Sequence, residues 1–252
     1  FFVSNYVQIT SLINYFNPGL SNKPLLGLRI KGIKYKVFIR RNSNTDKIVL
    51  KYVFHKKYGQ FHLPPSTLKL PEDCTIVDLG SNIGLTVAHY KNKFPSSKVI
   101  GYEMDKDNFN LAKINCKNYK NVFLNNEAVW IHAGTITYLK EKPDDSFCIN
   151  TGGNTKNQQM QTAKTITIGG IIEQYKLSAI DYLKIDIEGA EKNIFKENDL
   201  SWLGYVRFIN MEIHQEEEMP LDEYIQILKL NGFNAWKDNR HWSAVLAQRV
   251  VD

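Results

Sequence analysis

Two carboxylates and an imidazole, Asp186, Glu212 and His214, stand at or just beyond the ends of two short apolar runs, residues 180–187 and 205–213. Groups of these types can take a proton from an acceptor hydroxyl, and an unperturbed histidine titrates near neutrality. They can equally hold a hard divalent cation such as Mg2+ that lowers the pKa of that hydroxyl. Both chemistries remain open at this level. At most one of Asp186 and Glu188 is expected to face the substrate, with Glu188 placed instead as a cap of the helix beginning near Gly189-Ala190. His214 has an alternative pairing with the acids that follow at residues 216–218.

A second constellation lies upstream, in Val77-Asp78-Leu79-Gly80-Ser81-Asn82-Ile83-Gly84, between an apolar run and a helical pattern. Glycines at such a turn let the chain bend sharply and approach a ligand, and a helix start offers unpaired N–H groups. A dinucleotide site would show G-x-G-x-x-G. Here the spacing is Gly80-x-x-x-Gly84, and the strand-end acid Asp78 suits a cationic amine better than a diphosphate. That favours S-adenosylmethionine, which carries an ammonium and a sulfonium. Ser81 and Asn82 complete the turn. Glu103 closes the next strand, where a carboxylate accepts from both ribose hydroxyls. Met104 is placed against the adenine face or as a filler of the core. Asn126-Glu127-Ala128 ends the third strand at the depth of the adenine edge, with Glu127 either accepting from the exocyclic amine or standing as a surface acid.

These residues carry a resemblance. VDLGSNIG (77–84), YEMDKDNF (102–109), NEAV (126–129), DYLKIDIEGAE (181–191) and MEIH (211–214) resemble the FkbM-type methyltransferases. The correspondence covers about residues 46–250, and Thr45-Asp46 and Tyr58 look like the upstream segment of that family. The resemblance implies a class I methyltransferase fold, S-adenosylmethionine as donor, and O-methylation of glycans or secondary metabolites. One departure is Met104-Asp105, where relatives commonly have Pro.

The elements that must position these groups follow from periodicity. Short apolar runs at residues 75–79, 98–103 and 122–129 alternate with helical patterns at 83–94 and 108–118, and parallel pairing with right-handed crossovers follows. Residues 180–187 and 205–213 read as buried strands, and 221–230 as an amphipathic helix capped by Asn231-Gly232. Residues 233–236 and 243–248 leave no room for a helix between them and should pair antiparallel. The expected fold is α/β: a doubly wound, mostly parallel seven-stranded sheet with an antiparallel C-terminal hairpin, Rossmann-like, plus a small N-terminal β-rich extension. Residues 1–73 are assigned to that extension, with a docking helix over 6–16, a hairpin with one basic face over 28–41 and a polar turn over 42–46. Residues 74–252 form the catalytic domain. Residues 142–162 read as a polar loop over the acceptor site, with Asn150, Thr151 and Asn154 facing sugar hydroxyls. Trp236 and Trp242 have two readings, stacking on a sugar or packing in the core, and the core is preferred.

Composition bounds the rest. The 252 residues can bury a full core, with 43% hydrophobic and 23% charged residues. Lysine and arginine number 32 against 26 acids, a net charge of +6, more a solubility feature than a nucleic-acid footprint, with a mild preference for an anionic substrate. No apolar run approaches the length of a membrane span. Three scattered cysteines without CxxC spacing argue against structural zinc and fit a reducing, cytoplasmic compartment. Phe1 in place of an initiator Met suggests excision from a longer, multidomain protein. The expected partner is a small-molecule or glycan acceptor. Nucleic-acid methylation is the nearest rival, prompted by a pI near 9.0, but no Asp-Pro-Pro-Tyr-like motif follows the fourth strand to hold a flipped base. A non-catalytic binding module and a nicotinamide oxidoreductase are further alternatives.

Overall fold

A computed structural model describes residues 7–13, 25–55, 60–140, 159–196, 199–214 and 217–250. The chain opens with β1 (Val7–Ile13), β2 (Leu25–Ile30) and β3 (Val37–Arg40), which form an antiparallel sheet in that order. The docking helix expected over residues 6–16 is corrected by β1. Val7, Ile9, Thr10 and Ile13 are β-branched and favour extended backbone, and the open edge of β2 supplies a partner. The β2–β3 hairpin forms as expected, but Arg40 is buried rather than part of a basic face. Its guanidinium meets Asp46 at 2.5 Å and reaches Asn108 Oδ1 at 2.9 Å.

Helix α1 (Asn44–Phe54) begins inside the expected polar turn, because Ser43 caps it: its Oγ accepts from the Asp46 N–H at 3.0 Å. Leu25, Leu28 and Ile39 share one buried cluster with Ile83, Leu85 and Leu111, so the N-terminal strands and the next two helices have a common core.

The remaining elements are β4 (Thr75–Leu79), α2 (Leu85–Lys93), β5 (Lys98–Tyr102), α3 (Lys106–Cys116), β6 (Val122–Asn125), β7 (Ala128–Val129), β8 (Gly134–Lys140), β9 (Gln159–Ile166), α4 (Ile168–Tyr175), β10 (Tyr182–Ile185), α5 (Glu191–Lys196), β11 (Phe208–Glu212), α6 (Leu221–Leu230), β12 (Phe233–Lys237) and β13 (Ala244–Arg249). The main sheet has the order β12-β13-β11-β10-β4-β5-β6. All its pairings are parallel except those of β13, which runs against both neighbours. Strand order therefore reverses between β4 and β10, and the crevice for a ligand lies beyond their carboxyl ends.

The third strand expected over residues 122–129 divides. Asn126 turns the chain by donating its side-chain amide to the carbonyls of Glu103 and Met104, both at 2.9 Å. After it β7 joins a separate sheet, β7-β9-β8. Residues 159–162 of the expected loop belong to β9, and the proposed sugar contacts Asn150, Thr151 and Asn154 lie outside the described residues, as does Tyr58. No helix among the described residues is long and apolar enough to cross a membrane.

Candidate active site

The turn after β4 is stitched to the end of β5. The N–H groups of Gly80 and Ser81 donate to the Tyr102 carbonyl at 3.0 and 2.8 Å, and the Asn82 N–H donates to Glu103 Oε2 at 2.9 Å. The other carboxylate oxygen of Glu103 accepts from the Asp105 N–H at 2.8 Å. Burial pushes the Glu103 carboxyl up to about 8, against those two donors. Gly80 has φ +80°, and a Cβ there would lie 1.8 Å from the Asp186 carbonyl oxygen. Only glycine lets the cofactor-type turn and the end of β10 touch in this way.

Asp78, expected to orient a ligand amine, is fully buried and faces inward. Its Oδ2 accepts from Thr86 Oγ1 at 2.5 Å, and its Oδ1 lies 3.2 Å from Lys184 Nζ. Lys184 also reaches Asp186 Oδ2 and the Gly80 carbonyl, each at 3.1 Å. Burial opposes its charge, but Asp186 and Asp78 outweigh burial and raise the ammonium pKa. The carboxylate that opens outward at the switch point is therefore Asp186, on the far side of the same lysine.

Beyond β10 the strand has ended. Glu188 takes a left-handed φ of +55° and Gly189 one of +97°, so the chain doubles back. The expectation that at most one of Asp186 and Glu188 faces the site is corrected: both face His214. Its Nε2 stands 3.9 Å from Asp186 Oδ1 and 3.5 Å from Glu188 Oε2. Asp186, Glu188 and His214 offer one ligand atom each, all within 4.8 Å of one another.

The cap assigned to Glu188 is made instead by Glu191. This fully buried carboxylate accepts from the Ile187 and Gly189 N–H groups at 2.9 Å each, and meets His214 Nδ1 at 3.2 Å. A proton on Nδ1 donated to Glu191 leaves Nε2 for the acids opposite. Burial disfavours the imidazolium, but Glu191, Glu188 and Asp186 together lift His214 to about 9. Burial and Asp186 push Glu188 up to about 7 and Glu212 up to about 8.

Glu212 is adjacent to the triad but outside it, with its Oε1 3.7 Å from His241 Nε2. Glu218 pairs with Lys192 rather than with His214. Met104 and Ala128 belong to one apolar cluster beside the end of β5, and Glu127 is half-buried next to it. The residues that the sequence left unnoticed are Lys184, Glu191 and Thr86. Only the spacing Lys184-x-Asp186, two residues on one strand face, hinted at the first.

The donor set also decides what kind of nucleotide fits. The N–H groups of residues 80–84 are all used internally, by Tyr102, Glu103, Asn82 and Ser81. None waits for a diphosphate, and the crevice is lined by carboxylates. A ligand with hydroxyls and positive charges is complementary to it; a dinucleotide is not. A doubly wound sheet with an acid facing a glycine turn at its switch point defines a nucleoside-cofactor enzyme of the class I methyltransferase type.

Residues 78–235 match the methyltransferase FkbM domain, and the chain belongs to that family. It is an S-adenosylmethionine-dependent methyltransferase. Methyltransferase sdnD of Sordaria araneosa is 24% identical over 212 residues, covering 69% of this chain and 79% of that protein. The crystal structure of methyltransferase FkbM from Methylobacillus flagellatus KT aligns with a TM-score of 0.47 at 14% identity, over 75% of this chain and 47% of that one. This chain thus spans about half the length of that relative. Aeropyrum pernix fibrillarin, crystallised with natively bound S-adenosyl-L-methionine, aligns at 12% identity and a TM-score of 0.42, over 96% of this chain and 99% of that one.

Proposed function

We propose that the enzyme methylates a hydroxyl of a sugar, glycoconjugate or natural product, with Asp186, Glu188 and His214 holding a divalent cation such as Mg2+ beside the acceptor. The observation that carries this reading is the convergence of those three side chains within 4.8 Å at the carboxyl ends of β10 and β11, next to the turn after β4. Asp186, Glu188 and the fully buried Glu191 surround His214, and such an excess of negative charge calls for a cation. The backing of His214 Nδ1 by Glu191 is the arrangement that orients metal-bound imidazoles.

S-adenosylmethionine supplies an electrophilic methyl group, and a divalent cation would lower the pKa of the acceptor hydroxyl. The chain supplies position. Glu103 accepts the ribose hydroxyls, Met104 and Ala128 flank the adenine, and Glu127 accepts from its amine. Glu212 at the mouth takes the hydroxyl proton as the new oxygen–methyl bond forms and the sulfur–methyl bond breaks. The same acids disfavour a polyanion, which speaks against the nucleic-acid alternative. Cys74 and Cys116, free and buried, suit a reducing cytoplasm.

The test is transfer of a labelled methyl group onto a panel of glycans, hydroxylated small molecules and RNA, with and without EDTA. Label should enter a hydroxylated small molecule or glycan, disappear with EDTA and return with Mg2+ or Mn2+. Turnover indifferent to EDTA would remove the cation, and label in RNA would remove the acceptor class.

The ribose role of Glu103 has its own signature. Hydroxyl donors favour the ionised carboxylate, so cofactor binding is coupled to loss of a proton from a group lifted to about 8. Affinity for S-adenosylhomocysteine should therefore rise as pH climbs through about 8, by calorimetry. Glu103→Gln should flatten that rise and cost roughly 1.5–3 kcal/mol. A slope that survives the substitution assigns the titration elsewhere.

A further inference from the structure

Trp242 contradicts its expected place in the core. Trp130 and Trp202 are buried, and Trp236 packs edge-on against Phe208 at 6.1 Å. Trp242 instead is 80% exposed, in the loop between β12 and β13. An exposed indole on a floppy loop would mean little, but this loop is built. The Asp238 N–H donates to the Ala244 carbonyl at 2.8 Å, and the Arg240 guanidinium binds the Asp238 carboxylate at 2.8–3.0 Å. The same guanidinium donates to the Leu63 carbonyl at 2.9 Å, tying the loop to the segment before β4. The indole stacks on His241, which stacks in turn on Phe61 with ring centroids 4.3 Å apart. Ser243 Oγ, 3.1 Å from His241 Nδ1, fixes the imidazole from its other side. His241 Nε2 then stands 3.7 Å from Glu212, at the mouth of the catalytic crevice.

We propose that Trp242, backed by His241 and Phe61, is the platform on which a neutral carbohydrate acceptor stacks, with Glu212 receiving its hydroxyls. This rests on the reading of the crevice as an O-methylation site. A rigid, exposed aromatic face beside a hydrogen-bonding carboxylate matches a sugar ring, which has an apolar C–H face and a polar rim. A nucleobase would also stack, but its phosphates would approach Glu212, Asp186 and Glu188, where like charge repels them. The line of rings continues to Tyr52 on α1, edge-on to Phe61 at 6.5 Å and half exposed, a further aromatic surface beyond Trp242. That extension suits an oligosaccharide rather than a single sugar.

The experiment is calorimetric titration of the full chain, saturated with S-adenosylhomocysteine, by maltohexaose, cellohexaose, mannohexaose and oligo(U) RNA. One of the sugars should bind, Trp242→Ala should weaken it about tenfold, and Trp242→Phe should restore most of the loss. Where that sugar is methylated, Trp242→Ala should raise KM and leave kcat nearly unchanged. S-adenosylhomocysteine affinity and the melting temperature should not move, because the indole touches neither the turn nor the core. Binding of none of the three sugars, equal binding by wild type and Trp242→Ala, or Trp242-dependent binding of RNA alone would overturn the platform. Trp242-dependent sugar binding without methylation would strike the O-methylation reading and leave the platform standing. Methylation indifferent to Trp242 would strike the platform alone.

Discussion

Replacing Lys184 with Met should lower the free energy of unfolding by about 3–5 kcal/mol, the range for breaking a buried ion pair from one side. The Lys184 side chain is 4% exposed, and its ammonium lies between Asp78 and Asp186 at 3.2 and 3.1 Å. Without it Asp78, which has no exposure at all, keeps, among the described residues, only the Thr86 hydroxyl as a partner. A methionine stem fills the volume but cannot neutralise a carboxylate that no water reaches. Urea unfolding of the apo protein gives the direct measurement, since bound cofactor would add its own stabilisation.

The companion variant separates charge from packing. If the cost is the orphaned acid, adding Asp78→Asn to Lys184→Met should recover a large part of it, because the two sites act as one unit. A single-variant loss below about 1 kcal/mol would place Lys184 among ordinary surface pairs and dissolve the argument that it fixes Asp186.

That triad also shows why the site was only partly legible. The fold was readable wherever an apolar run ended in a breaker. Thr75–Leu79 stops at Gly80, Leu221–Leu230 stops at Asn231-Gly232, and the final hairpin follows from the short gap between β12 and β13. Helix α4 escaped notice because Gly169 and Gly170 occupy its first turn. The signal that starts it is a single hydroxyl, Thr167 Oγ1, accepting from the Gly170 N–H at 2.9 Å. Helix α1 was hidden the same way behind Ser43.

At the site, the glycine turn, Glu103 and the pairing of Asp186 with His214 came from residue type and spacing. What spacing could not tell was which way an acid faces. Asp78 and Asp186 both end strands, yet the lysine between them turns one inward and leaves the other at the surface. Glu188 was set apart from Asp186 as a helix cap, an assignment that fails because β10 ends at Ile185 and two positive φ angles then turn the Glu188 side chain back toward His214. For Trp242 the sequence offered both sugar stacking and the core, and the core was preferred because large aromatic side chains are mostly buried.

The largest catalytic effect is expected at His214. Loss of an outer-shell partner of a metal-bound imidazole typically costs about 10–100-fold in metal affinity or activity, and Glu191→Gln should fall in that range. His214→Ala removes the ligand itself and should exceed it, while binding of S-adenosylhomocysteine, which depends on Glu103 and the turn after β4, stays within about twofold of wild type. Mn2+ titration of each variant, followed by the loss of free-ion signal in electron paramagnetic resonance, reads the metal without requiring an acceptor. The ordering of affinity should be wild type, then Glu191→Gln, then His214→Ala. If instead all three bind Mn2+ equally or not at all, while turnover falls in His214→Ala and is restored by added imidazole, the histidine works as a general base and the cation leaves the mechanism. The two outcomes differ because a metal ligand and a proton acceptor use the same Nε2 lone pair. Glu191 makes that lone pair available in either case, and only the occupant in front of it changes.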